Sequence, residues 1–330
     1  MAQDQTKKEA LFNEVKGSLF EYLVSKKLAK LAGEELDFLH SLDHNYLNVL
    51  SQQDRMVRQF YPEMLTFLDA VASETVQKIS EYFKEIPSSP KLMGKFINSS
   101  LAQELNEADL LITTSKGTVP VSLKLNKSNA FVNTKSGGIK SFFSVYFGYM
   151  KAPRQPKFNQ LVDLEFTRMA AELHALHDLD YTGNFNQWVK GGLSELPGEL
   201  EDQDRLVLKA YYARIAKEMH KILSEAKKSD PSAFGEALAP LMGFGNKQIL
   251  QVVCFHHFKS NQPAQIEIHP YEEIENSLLD AKILPFNETS SVDVQVGAWT
   301  LQIRVKPMNK FTTTAIKINC SVKITPPNDA

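Results

Sequence analysis

The chain has 330 residues, 43% of them hydrophobic and 23% charged, with a formal net charge of −2 at pH 7. That length suits one large domain or two ordinary ones, and the balance is that of a folded globular protein, which excludes a disordered chain or one basic throughout. No apolar run reaches the roughly 18 residues needed to cross a bilayer, and the polar opening MAQDQTKKEA predicts no secretory leader.

From the N-terminus, Leu11, Val15, Leu19, Leu23 and Leu28 recur at helical spacing and predict a helix over 5–31. Similar patterns predict helices over 34–53, 62–86 and 92–105, with Pro87-Ser88-Ser89-Pro90 as a break. Two apolar runs follow, 109–114 and 119–125, joined by a polar turn between Thr113 and Thr118, and they read as a β-hairpin. Residues 130–133 suggest a third strand, Ser136-Gly137-Gly138 a turn, and 139–149 an aromatic-rich helix whose Phe142 to Phe147 run reads as core. Helical periodicity returns over 158–179 and 200–226, the latter closed by Lys227-Lys228-Ser229-Asp230-Pro231. After Gln248 the pattern turns to strands at 249–255, 264–269, 292–305 and 315–324, the last two as a C-terminal hairpin.

The expected fold class is α/β, a mixed central sheet flanked by helices with helical insertions. Residues 1–150 would carry the N-terminal helices and the first part of the core. Residues 151–247 would form a helical insertion or cap, and 248–330 the strands that complete the core and present a basic hairpin.

The chemistry concentrates in the first hairpin. Asp109 opens one strand, and Lys124 sits in the other, where the flanking Val and Leu predict burial. A buried lysine needs a partner, and Asp109 is the nearest. A carboxylate beside an ammonium suits metal-assisted phosphodiester hydrolysis: the acid holds a divalent cation, while the lysine orients water and faces the charge that builds on phosphorus oxygens.

Asp109 followed by Ser122-Leu123-Lys124, with Gly17-Ser18-Leu19-Phe20-Glu21 upstream, resembles the signature of the PD-(D/E)xK nucleases, the superfamily that includes many type II restriction endonucleases. The resemblance spans roughly residues 14–145. It implies a restriction-endonuclease-like sheet and a Mg²⁺-dependent endodeoxyribonuclease. Asp109, Lys124 and Glu21 would be catalytic, and Asp109, Glu21 and the Leu123 carbonyl would hold Mg²⁺. It also implies double-stranded DNA as substrate, a homodimer, and a cognate DNA methyltransferase in the same system. Two positions depart from the pattern: Ala108 stands where the family often has Pro, and Ser122 where it usually has Glu or Asp. The second removes one carboxylate ligand, which Glu21 would replace. Glu14, two helical turns earlier on the same face, is the alternative. The opposite outcome of that departure is a non-catalytic nucleic-acid-binding protein that keeps the fold.

Charge is unevenly spread. No acid lies between Asp109 and Asp163, a span holding Lys116, Lys124, Lys127, Lys135, Lys140, Lys151, Arg154 and Lys157. From Leu301 onward Arg304, Lys306, Lys310, Lys317 and Lys323 face one acid, Asp329. Such blocks are the footprint of a polyanion-binding face or of a solvated strand surface. Asn126, Lys127, Lys135, Lys140, Arg304, Lys306 and Lys310 are the candidate DNA contacts, with Ser136-Gly137-Gly138 offering backbone N–H groups to phosphate.

Other motifs are weaker. His174-x-x-His177 and His256-His257 lack a Cys or Glu partner at zinc-ligand spacing. Gly243-Phe244-Gly245 lacks the third glycine of a dinucleotide fingerprint, and no Gly-x-x-x-x-Gly-Lys-Ser/Thr loop occurs. The two cysteines, Cys254 and Cys320, fit a reducing, cytoplasmic setting.

Overall fold

The computed structural model describes residues 2–93, 107–127, 130–150, 154–245, 247–256 and 264–324, without the side chains of 2–11, 13 and 127. Among these the chain is mixed α/β, with ten α-helices and two five-stranded sheets. It divides into two compact units, residues 1–130 with 244–273, and residues 131–243 with 274–330. No helix among the described residues is long and apolar enough to cross a membrane.

The first unit begins with four helices, α1 (Ala2–Leu31), α2 (Glu35–Ser41), α3 (His44–Phe60) and α4 (Pro62–Phe83). The single helix expected over 34–53 is broken because Asp43 caps a new one, accepting from the backbone N–H groups of Asn45 at 2.7 Å and Tyr46 at 3.3 Å. Pro62 starts α4, where its missing N–H is no loss, and Lys84 ends it in the left-handed region at φ 57°. The sheet that follows runs in the order β1-β2-β3-β5-β6, from β1 (Ser88–Leu92), β2 (Leu110–Thr114), β3 (Gly117–Lys127), β5 (Leu250–His256) and β6 (Gln265–Pro270). All neighbours are antiparallel except β3 and β5, which run parallel. The expected hairpin is present, with Thr114 opposite Gly117. Pro87 to Pro90 does break the helical run: α4 ends at Phe83, and Ser88 to Leu92 form the edge strand β1, where Pro is tolerated. The helix expected over 92–105 lies almost wholly outside the described residues.

One face of this sheet is apolar. Leu110, Ile112, Val121, Leu123, Leu250, Val252 and Cys254 form a core with Phe20, Val24 and Leu28 of α1 and Leu68, Val71 and Val76 of α4. Truncating a fully buried member such as Leu68 to Ala would cost about 2–5 kcal/mol. Strand side chains alternate between faces, so Ser122 and Lys124 of β3, Gln251 and Val253 of β5, and Glu267 and His269 of β6 share the other face.

The second unit holds β4 (Val132–Gly138) and five helices: α5 (Phe142–Tyr146), α6 (Arg154–Leu176), α7 (Asn186–Lys190), α8 (Asp202–Ser229) and α9 (Pro231–Leu241). It also holds β7 (Lys282–Ile283), β8 (Ser291–Val296), β9 (Trp299–Pro307) and β10 (Ile316–Ile324). The division between the units falls within α10 (Glu272–Leu278). The sheet is antiparallel throughout, in the order β4-β10-β9-β8-β7, and α8 lies against β8 and β9. Buried residues alternate along β9, as Leu301, Ile303 and Val305 show, whereas in β10 the run from Ile318 to Val322 is buried throughout, Asn319 and Ser321 included. Phe142, Phe143 and Phe147 are core, as expected, with Phe158 edge-on to Phe143.

Two expectations about organisation change. Of the strands after 248, only β5 and β6 join the sheet that carries Asp109 and Lys124, whereas β8, β9 and β10 build a separate sheet with β4. The run 292–305 is two strands, because Gly297, at φ 56°, turns the chain between them.

Candidate functional site

The site begins where β2 and β3 part. The last ladder pair is Leu110 with Val121, and the Asp109 N–H still donates to the Val121 carbonyl at 2.9 Å. Beyond that point the Asp109 side chain takes over from the strand. Its Oδ2 accepts from the Leu123 N–H at 2.7 Å, Ser122 Oγ at 3.2 Å and Lys124 Nζ at 3.4 Å. In an antiparallel pair a residue's N–H and C=O point to the same side, so the Leu123 carbonyl is directed into the same gap. Lys124 and Asp109 are about a quarter exposed, at 28% and 23%. The lysine expected to be buried is therefore at the edge of solvent, where an ion pair contributes little to stability.

These donors and acceptors can do two things. Hard oxygens from one carboxylate and one carbonyl are what Mg²⁺ takes when waters and substrate phosphate complete its shell. The ammonium can hold a water or a phosphoryl oxygen. Ser122 bonds to Asp109 and brings no charge to the site.

Glu21 sits elsewhere in its surroundings. Its helix packs through Leu19, Phe20 and Val24 against the face of the sheet that carries Val121 and Leu123, opposite to that of Ser122 and Lys124. Its carboxylate lies close enough to Tyr46 of α3 to help burial push that phenol well above its usual range. Glu14 is exposed. Among the described residues no group of three or more His, Cys, Asp and Glu side chains is placed to share a metal ion.

Sequence reading missed the residues that extend this face across the sheet. Ser122 stands opposite Gln251, and Gln251 opposite His269. Gln251 is 1% exposed. His269 Nδ1 is 2.8 Å from Glu273 Oε2 and its Nε2 3.1 Å from Glu267 Oε2. Burial alone would lower the His269 pKa, but hydrogen bonds to Glu267 and Glu273 and their charges outweigh it and leave the imidazole above its ordinary value. The available signal was alternation, a glutamine at the outward position of an otherwise apolar strand and Glu267-x-His269 two residues apart.

The expected DNA contacts scatter. Lys140 pairs with Asp163 at 2.7 Å, Arg154 with Glu225 at 2.8 Å, and Lys310 with Glu195. Lys135 faces Cys320 on the buried side of the second sheet, opposite to Arg304. Asn126 Nδ2 donates to the Ala130 carbonyl at 3.1 Å, and the Lys127 side chain and Lys151 lie outside the described residues. Ser136, Gly137 and Gly138 are not a turn: they belong to β4, paired with Asn319, Ile318 and Lys317. Their backbone is thus committed to a sheet and forms no anion-binding nest. Arg304 and Lys306 do come together, with Lys317 directly opposite Lys306. Burial lowers the Lys306 pKa, and the charges of Lys317 and Arg304 lower it further.

The histidine pairs resolve into ordinary contacts. His177 Nε2 is 3.0 Å from Asp204 Oδ1, and His174 Nδ1 is 2.7 Å from the Ala170 carbonyl. His256 lies edge-on to Phe67 at 5.1 Å, and His257 is outside the described residues. Both cysteines are free, buried thiols, pushed by burial up to about 12.

No family model, curated protein or solved structure matches this chain.

Proposed function

We propose that the first unit is a Mg²⁺-dependent endonuclease acting on duplex DNA, similar to the PD-(D/E)xK enzymes. The observation that carries this reading is the convergence of the Leu123 N–H and Lys124 Nζ on Asp109 Oδ2 at the point where β2 and β3 separate. The order of the sheet supports it: an antiparallel β1-β2-β3 meander places the acid and the lysine on adjacent strands, and β5 runs parallel to β3.

Asp109 and the Leu123 carbonyl would hold the cation, with Glu21 entering only if α1 shifts toward the strand ends. When bound, Mg²⁺ supplies charge neutralisation at the phosphorus oxygens and a more acidic water. Lys124 would position a water for in-line attack and face the charge growing on the phosphate. Water oxygen bonds to phosphorus, the P–O3′ bond breaks, and a water proton goes to the leaving O3′. Ser122 and the Leu123 N–H fix the rotamer of Asp109. A two-fold homodimer would cut both strands, and a partner methyltransferase would protect the host's own sites.

Asp109→Ala and Lys124→Ala should each lower plasmid cleavage in Mg²⁺ by about a thousandfold, on the order of 4 kcal/mol, while the variants stay folded. Near wild-type nicking by either folded variant removes the site. The second reading, a nucleic-acid-binding protein without catalysis, is favoured by Ser122 standing in the acid's position and by the three donors already held on Asp109 Oδ2. It predicts DNA binding without nicking in Mg²⁺ or Mn²⁺.

A further inference from the structure

The second sheet has one face with no apolar side chain. Cross-strand partners in an antiparallel sheet lie on the same face, so the register assigns each residue. One row runs from Lys282 of β7 through β8 and β9 to Lys323 of β10. Two residues along β9 from the row's Thr300, a second row carries Asp293 of β8. The third is centred on Arg304, and the fourth pairs Lys306 with Lys317. With strands about 4.8 Å apart and same-face residues about 6.8 Å apart, the grid measures about 19 by 20 Å. It holds five cations and one acid, and its other side chains are Gln, Asn, Ser and Thr.

Two features separate this face from an ordinary solvated one. Like charges directly opposite each other destabilise a sheet, and Lys306 and Lys317 are so placed, with Arg304 beside them. Some cations elsewhere in the same unit are neutralised, among them Lys140, Arg154, Arg214 and Lys310, while others, such as Lys157 and Lys209, make no ion pair among the described residues. Among the described residues none of the five cations of the face makes an ion pair.

We infer that this face docks the phosphate backbone of double-helical DNA. The occupant follows from what the face lacks. Single-strand binders stack bases on aromatic rings, and the face carries none. Protein partners bury an apolar or aromatic interface core, which is also missing. Protein–DNA interfaces are polar and strongly positive, and backbone contact requires only cations, amides and hydroxyls. The inference stands apart from the cleavage site, whose residues belong to the other unit.

The test is fluorescence anisotropy on the full-length chain, with a mixed-sequence duplex and the matching single strand, in EDTA so that nothing is cleaved, over a series of salt concentrations. The combined variant Arg304→Gln, Lys306→Gln, Lys317→Gln should bind duplex more weakly. Its slope of log K against log salt should be shallower by about 2.7, at about 0.9 for each phosphate that is no longer neutralised. Lys282→Gln with Lys323→Gln, at the other end of the grid, should flatten it by about 1.8 on the same basis and guards against misfolding of the triple variant. Lys140→Gln with Lys310→Gln should leave the slope unchanged. Absence of duplex binding by the wild type overturns the inference, as does an unchanged slope in both face variants. Equal affinity for the single strand through the same residues overturns the assignment to duplex. Loss of cleavage with binding intact, by contrast, concerns only the catalytic reading.

Discussion

His269 is held between two carboxylates in a setting that only a protonated ring can satisfy fully. Neutral imidazole has one N–H, whereas Nδ1 and Nε2 each face a carboxylate oxygen, of Glu273 and Glu267, at 2.8 and 3.1 Å. The folded-state pKa is raised, so the stabilisation is fully present below the ordinary imidazole value and fades as pH rises through the higher folded value. The stability gap between wild type and His269→Gln, read from urea midpoints, should be widest near pH 5.5 and narrow steadily toward pH 9. A gap that does not change over that range would show that the ring is neutral in the fold. Such a group is only half visible in a sequence, since alternation puts Glu267 and His269 on one strand face, but Glu273 joins them only where the strand turns into the next helix. Asp109 and Lys124 were legible for the opposite reason: they lie on two adjacent strands joined by a two-residue turn, so local spacing determines their meeting.

At the scale of elements, what was legible followed the range of the force involved. The helices α1, α4, α6 and α8 declare themselves by apolar periodicity, because each buries one stripe against a neighbour. Their existence is intrinsic to the sequence, and only their ends moved. The stop between α2 and α3 is a matter of one side chain, Asp43, whose Oδ1 satisfies two otherwise orphaned N–H groups. Asp43→Ala should therefore cost about 1 kcal/mol, within a range of about 0.5–2, and Asp43→Asn should restore most of it. Chemical denaturation of both variants checks this, and equal losses in the two would assign the effect to charge, not capping. Ser136-Gly137-Gly138 shows the reverse situation. Glycines are the strongest local signal for a turn, yet here β10 imposes an extended backbone through pairs that lie 180 or so residues away along the chain. No local pattern carries that pairing.

The whole molecule is threaded in a way that periodicity could not disclose. The chain leaves the first unit after β3, builds most of the second unit over 131–243, returns for β5 and β6, and then completes the second unit with β7 to β10. Neither unit is a continuous piece of sequence. A reading that walks along the chain naturally groups the early strands together and the late strands together, and so assigned β8 to β10 to the same sheet as β3. The consequence is testable with a fragment. Residues 1–150 contain the acid, the lysine and all of α1 to α4, but they lack β5, the parallel partner of β3, and β6 beyond it. They also lack Leu250, Val252 and Cys254, three members of the core that packs on Phe20 and Leu68. Each buried aliphatic side chain contributes about 1.5–3 kcal/mol, against a total stability of about 5–15 kcal/mol for a typical domain. The isolated fragment should thus show helical far-ultraviolet dichroism without a cooperative urea transition, and it should bind a hydrophobic dye. A sharp, reversible transition in fragment 1–150 would mean that the three-stranded meander and its helices suffice, and that β5 and β6 are additions to a core already complete without them.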